Sequence, residues 1–154
     1  MPIRRRIRWW SSPSKTKRPP QNTSHYYAHR EAARVHITER VTYWNQYYNF
    51  TYKRIAIRNQ RSRWGSCSAL GNLNFNYKLL FLPSHLCDYI VVHELCHLKE
   101  LNHGPRFWAE IGRTLPDYRH HVRELRHLER NFGTSVQGIT KVQAHYQSRT
   151  KGLE

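Results

Sequence analysis

The sequence predicts an α+β fold: a long N-terminal helix, a small antiparallel sheet of about three strands, a buried helix, and two further C-terminal helices. Three observations carry that expectation. Ala33, Ile37, Val41, Trp44 and Tyr48 recur at steps of 4, 4, 3 and 4, one apolar stripe at the helical period. Between residues 52 and 76 the period falls to two, as in half-buried strands. Beyond Pro83 apolar residues occupy two sides of the helical wheel, the mark of a helix buried at the centre of a domain.

Each element has its own justification. Residues 1–22 hold Pro13, Pro19 and Pro20 among serines and basic residues. Such a stretch buries too little to offset its chain entropy and reads as a flexible basic arm. A domain is expected over 23–130. Its first helix spans 25–48, with Ser24 as N-cap and Asn49 as the stop. Ile55 and Ile57 alternate with Arg54, Ala56 and Arg58 in a first strand. Arg61–Cys67 reads as a second extended stretch, Ser68–Asn72 as a turn, and Leu73 with Phe75 as the core face of a third strand. Ser84 is the expected N-cap of a helix running to about Leu101. Gly104-Pro105 breaks and restarts the chain, since proline suits the first helical position. Phe107, Ile111 and Leu115 give the next helix its apolar face. Pro116 restarts the chain again, and Tyr118, Val122, Leu125 and Leu128 mark the last helix. Residues 131–154, with weak periodicity and three glycines, are expected as a loose tail.

At 154 residues and 18.6 kDa the chain has the size of one domain with tails. It carries 26 Lys and Arg against 10 Asp and Glu, a formal net charge of +16. Arg4, Arg5, Arg6, Arg8, Lys15, Lys17 and Arg18 supply 7 of the positive charges before residue 20, with no acid among them. A field of this sign draws in polyanions, so nucleic acid is a candidate partner through the basic surface and the arm. The longest apolar runs, such as Leu79–Leu82, are four residues, against about 18 for a membrane span, so no membrane partner is expected. No apolar segment follows the N-terminal arginines, so no secretory signal is expected. Cys67, Cys87 and Cys96 are odd in number and form no Cys-x-x-Cys pair, which suits a reducing cytoplasm.

The informative motif is His93-Glu94-Leu95-Cys96-His97, an H-E-x-x-H pattern. On a helix His93 and His97 stand one turn apart, so both imidazoles reach one small ion. Glu94 lies near the same side, where a carboxylate can take a proton from metal-activated water. Chance is a weaker explanation than ligation, because two histidines and a glutamate inside an apolar helix are costly unless paired or liganded. His103 lies six residues past His97 and is the candidate third donor. Glu110, on the following helix, is the alternative and otherwise a solvent-facing residue. Metzincins share the spacing but need a Met-turn, and the only methionine here is Met1. The remaining histidines read as surface or locally bonded groups.

Several further stretches surround the motif. They are Arg61-Ser62-Arg63-Trp64-Gly65-Ser66-Cys67-Ser68, Gly71–Asn76, Asp88–Leu98, Asn102–Trp108 and Pro116-Asp117-Tyr118. Together, over about 52–125, they resemble the YgjP-like metallopeptidase family, which is related to SprT-like and WLM-type zinc proteases. The resemblance implies a compact gluzincin-like core with a small sheet beside the metal helix. It implies zinc as cofactor, held by His93, His97 and His103, with Glu94 catalytic. It implies hydrolysis of a protein or peptide substrate. A substrate strand would add to an exposed sheet edge, Asn72–Asn76 or Arg61–Cys67. Trp64–Cys67 otherwise reads as a packed strand and turn. Tyr118, Arg119, His120 and His121 follow the third donor as candidates for an oxyanion partner, each also readable as core or surface. Three alternatives stand beside this reading, the first a protease associated with DNA. The same zinc site would cleave a nucleotide phosphoanhydride, although no Gly-rich phosphate loop is present. A non-enzymatic nucleic-acid-binding module would hold a structural zinc, which normally takes four protein ligands, whereas three are evident.

Overall fold

The computed structural model describes residues 23–150; the basic arm expected over 1–22 lies outside the described residues, as do residues 151–154. The chain folds as α+β, with five helices and a three-stranded sheet among the described residues. Helix α1 spans Thr23–Tyr48 and buries Ala33, Ile37, Val41 and Tyr48, four of the five residues of the apolar stripe. It begins at Thr23, so Ser24 lies inside the helix and not at its cap. Asn49, at φ 53°, ends it in the left-handed region that asparagine tolerates.

The sheet contains β1 (Arg54–Arg58), β2 (Gly65–Cys67) and β3 (Asn72–Asn76), in the spatial order β1-β3-β2. It is mixed, not antiparallel as expected. β1 runs parallel to β3, with Arg54 opposite Asn72 and Arg58 opposite Asn76. β2 runs antiparallel to β3, with Gly65 opposite Phe75 and Cys67 opposite Leu73. The reason is the connection over residues 59–64, which carries the chain past the place of β3 and leaves a gap that β3 fills. A tight turn then joins β2 to β3, with Gly71 at φ 77°. β3 is paired on both sides, so Asn72–Asn76 has no free edge to offer a substrate; β2 has one.

The chain leading into β2 is held by side chains at the Gln60, Arg61 and Arg63 carbonyls, and it joins β3 only at Trp64, whose carbonyl accepts from the Asn76 backbone N–H at 2.7 Å. Asn76, 1% exposed, donates from Nδ2 to the Gln60 carbonyl at 2.8 Å and the Arg63 carbonyl at 2.7 Å. Its Oδ1 accepts from the Lys78 N–H at 3.2 Å, which caps a short 3₁₀ turn over Tyr77–Phe81. Lys78 Nζ also reaches the Gln60 carbonyl, at 3.2 Å. One buried amide thus fixes the approach to Gly65.

Helix α2 (Ser84–Cys96) runs through the centre of the domain and buries Leu86, Cys87 and every residue from Tyr89 to Cys96. Its cap is Pro83, not Ser84, because the N–H groups of Leu86 and Cys87 bond the Pro83 carbonyl and start the helix a residue early. It ends at Cys96, short of the expected Leu101. The last turn tightens there, with Leu98 N bonding Leu95 O and Lys99 N bonding Cys96 O. Arg40 of α1 grips Asp88 of α2 with two bonds, at 2.6 and 2.9 Å.

Helix α3 (Pro105–Thr114) has Pro105 in its first turn, and α4 spans Tyr118–Phe132. A third C-terminal helix, α5 (Val136–Thr150), replaces the expected loose tail. Gly133, at φ 66°, turns the chain out of α4, and Ile139 and Val142 then enter the core at 3% and 2% exposure. Those two residues, with Tyr146 packed against the core and bonded to Glu124, dock a helix whose overall periodicity is weak. Among the described residues no helix is long and apolar enough to cross a membrane.

Asn76→Ala takes from the Arg63 carbonyl its side-chain donor and leaves the Gln60 carbonyl with Lys78 alone. It is expected to destabilise the protein by about 1–3 kcal/mol, read as a lower urea midpoint with an unchanged slope.

Candidate metal centre

His93 projects from the last turn of α2 and His97 from its C-cap, where the backbone is still helical. His103 comes from the turn ahead of α3. The three Nε2 atoms form a near-equilateral triangle: 3.2 Å from His93 to His97, 3.0 Å from His97 to His103, and 3.1 Å from His103 to His93. The tautomer of His97 follows from its other nitrogen. Nδ1 lies 2.9 Å from the Glu100 carbonyl, which can only accept, so Nδ1 carries the proton and Nε2 presents a lone pair. The early end of α2 matters here, because it is what brings the Glu100 carbonyl back to His97.

Burial keeps all three rings neutral. It drives His93 well below the usual imidazole range, helped by His97 and His103. It takes His103 down to about 4, with His97 adding to the effect. It lowers His97 as well, against the Glu100 carbonyl. Three neutral nitrogens are good donors for a divalent ion. Zn–N bonds of about 2.0–2.1 Å in a tetrahedron imply N···N edges of about 3.3 Å, close to the observed triangle. The donors therefore fit such an ion and leave a fourth corner facing the cleft.

Phe107 of α3, fully buried, is the floor of this triangle. It stacks on His97 at 4.4 Å between ring centroids and meets His93 and His103 with edge contacts at 4.8 and 4.7 Å. Trp108 stacks on His103 at 6.0 Å.

Glu94 is 5% exposed and lies against β2. A Cβ placed on Gly65 would stand 2.8 Å from Glu94 Cγ and 2.9 Å from Oε1. Glycine is required there by the closeness of that carboxyl, not by backbone angles. Burial pushes the Glu94 carboxyl up to about 8, while Arg63 pulls it the other way. Both residues line an open cleft of about 250 Å³ with Ser66, Cys67, Leu101 and the three histidines. Burial, with Glu94 nearby, holds the Cys67 thiol up at about 11, so it is neutral and unreactive.

The other sequence candidates fall elsewhere. Glu110 is spent on Lys99, at 2.5 Å, and Arg113, at 2.8 Å. Tyr118 stacks on Trp108 at 5.2 Å, with the Arg119 guanidinium 5.9 Å from its ring centroid, and neither lines the cleft. His121 is buried near Asp117, at 3.6 Å. His85, His121 and Glu124 form a second cluster of potential donors. There Glu124 is already taken by His85, at 2.8 Å, and by Tyr146. Trp64 is a core residue whose Nε1 donates to Glu129 at 2.8 Å. Gly65, Arg63 and Phe107 were not expected at the site. For Gly65 a signal was present: a glycine inside a strand marks a close approach.

Residues 4–128 match the family model described as YgjP-like, metallopeptidase domain. The chain belongs to that family. The match begins ahead of the stretch 52–125 that carried the resemblance. Membership brings a metal ion and a protein or peptide substrate at family level. The YgjP-like domain shares its fold with two crystal structures. One is the metallopeptidase zymogen of Pyrococcus abyssi abylysin, 22% identical with a TM-score of 0.54, covering 65% of this chain and 99% of that one. The other is the metallopeptidase zymogen of Methanocaldococcus jannaschii jannalysin, 24% identical with a TM-score of 0.52, covering 61% and 95%. No curated protein matches the chain.

The raised Glu94 carboxyl makes a prediction for the metal-free YgjP-like domain. Its folded value of about 8 lies above the ordinary 4.5 of an unfolded chain. Between those values the folded state holds a proton that the unfolded state has lost, so stability falls as pH rises through this window. Glu94→Gln does not titrate. It is expected to equal wild type near pH 4.5 and to exceed it at pH 8 by on the order of 1–3 kcal/mol, in urea unfolding of EDTA-treated protein. A difference that does not change with pH would refute the assignment.

Proposed function

We propose that this chain is a zinc-dependent peptidase in which His93, His97 and His103 hold the ion and Glu94 is the general base. The triangle of imidazole nitrogens, 3.0–3.2 Å on a side, carries this reading. Three donors and an open corner suit a catalytic site better than a structural one. When bound, zinc supplies a Lewis acid that polarises a carbonyl and brings the acidity of water to about neutrality.

The rest is the work of this chain. Glu94 accepts a proton from the attacking water at a carboxylate oxygen, then returns it to the nitrogen of the departing amine. Gly65 leaves room for the carboxyl beside the histidines. Arg63 favours its charged form. β2 offers a free edge along the same cleft, to which an extended peptide would add with its scissile bond toward His93 and Glu94. A cytoplasmic setting belongs to the same reading, since Cys67, Cys87 and Cys96 are all free thiols.

Metal analysis beside activity tests the proposal. Wild type is expected to carry one zinc per chain, and His93→Ala and His103→Ala to lose most of it. Glu94→Gln is expected to keep the metal and lose casein cleavage by about 10²–10⁴-fold. Gly65→Ala is expected to keep metal and fold while kcat falls by about tenfold or more, because the base is displaced. A blank metal trace, or a fully active Glu94→Gln, would reject the mechanism. Release of pyrophosphate from nucleotides without casein cleavage would replace the substrate.

A further inference from the structure

Helix α4 carries a row of arginines that the metal centre does not use. Arg119, Arg123, Arg126 and Arg130 follow at steps of 4, 3 and 4, and all four are exposed. At 100° per residue they fall within an arc of about 60°, and at 1.5 Å per residue the row is about 16 Å long. The opposite face of α4 is committed to the core through His121, Leu125 and Leu128. The helix has two acids, and each has a partner off the row. Glu129 accepts from Trp64 at 2.8 Å, and Glu124 is held by His85 and Tyr146. Glu129 is also within electrostatic reach of Arg126, so Arg119, Arg123 and Arg130 form the ridge of one sign, and Arg126 lies at its border with that carboxylate.

The ridge leads to the cleft. The Arg119 guanidinium lies 5.9 Å over the Tyr118 ring, Tyr118 stacks on Trp108, and Trp108 stacks on His103. Three aromatic rings thus connect the first arginine to the metal triangle.

We propose that this face of α4 binds the phosphodiester backbone of a nucleic acid and holds it beside the metal centre. Four cations on a rigid helix are met best by anions whose spacing is also fixed. A strand presents one phosphate per about 3.4 Å of axis, so about five lie along the ridge. A carboxylate-bearing polypeptide has no such fixed spacing and loses more entropy on being laid out. All four residues are arginine, whose planar fork takes phosphate oxygens two at a time. The chain's net charge of +16 adds a long-range field of the same sign. The peptide edge at β2 and this ridge are separate surfaces, so the inference does not depend on the zinc reading.

Fluorescence anisotropy of the full-length, metal-loaded protein tests it. Labelled single-stranded DNA, duplex DNA and RNA are titrated over a salt series, with wild type beside Arg123→Gln/Arg130→Gln. Neither residue belongs to the proposed catalytic or metal-binding set, and an unchanged urea midpoint reports that the variant is folded. Wild type is expected to bind at least one of the three. For that ligand the double variant should bind at least tenfold more weakly at low salt. Its slope of log K against log salt should be shallower by about 1.8 for a duplex or about 1.4 for a single strand. No binding by wild type overturns the proposal. An unchanged slope in the variant also overturns it, placing the contacts on other cations such as those of residues 1–22. Displacement of the oligonucleotide by polyglutamate at equal charge concentration overturns it in favour of an acidic polypeptide.

Discussion

Three imidazole Nε2 atoms held within 3.2 Å of one another are the constraint around which this domain is organised. Three rings converging so closely from one helix and the turn after it have to be held in place. Enforcement comes from several directions. The winding of α2 sets His93 and His97 one turn apart. The stop at Cys96 returns the Glu100 carbonyl to His97 and fixes its tautomer. The turn before Pro105 brings His103 across. Phe107 lies against all three rings and leaves each little freedom to rotate. Fixing donors in advance avoids an ordering cost when an ion binds.

The small sheet supports that arrangement more than it supports the core. Its shortest strand, β2, places Gly65 under the Glu94 carboxyl, and its neighbour β3 supplies Asn76, which holds the chain leading into Gly65. A polar residue at 1% exposure is thus linked to the position of a buried carboxyl through two carbonyls and one glycine. The burial that weakens Glu94 as an acid is the same burial that leaves no space for a side chain at Gly65.

Much of this was legible in the residues, and the gaps have physical reasons. The helical stripes of α1, α3 and α4 appear where periodicity predicts them, because each helix has one wet face. The convergence of His93, His97 and His103 was legible for a different reason: all three lie within one short segment, so spacing stands in for geometry. Strand pairing was not legible. Alternation at Ile55 and Ile57 or Leu73 and Phe75 says which face is buried and nothing about which strand lies alongside. The early stop of α2 depends on backbone bonds that leave no compositional trace. Helix α5 was missed because its docking rests on Ile139, Val142 and Tyr146, too few to set a period. Phe107 was legible as a core residue but not as a neighbour of imidazoles, since packing partners across elements are invisible to a one-dimensional pattern.

The two outer margins of the sheet meet opposite fates. Along β1 the border is closed: Tyr26 donates to the Ile57 carbonyl at 3.0 Å, and Arg54 and Arg58 stand exposed at either end. Charge and an occupied acceptor discourage a stray strand from docking there. Among the described residues β2 has no such guard. Self-association through the sheet is thereby discouraged on one flank, while the other stays receptive to an incoming chain, so the molecule separates the hazard of an unpaired strand from its use.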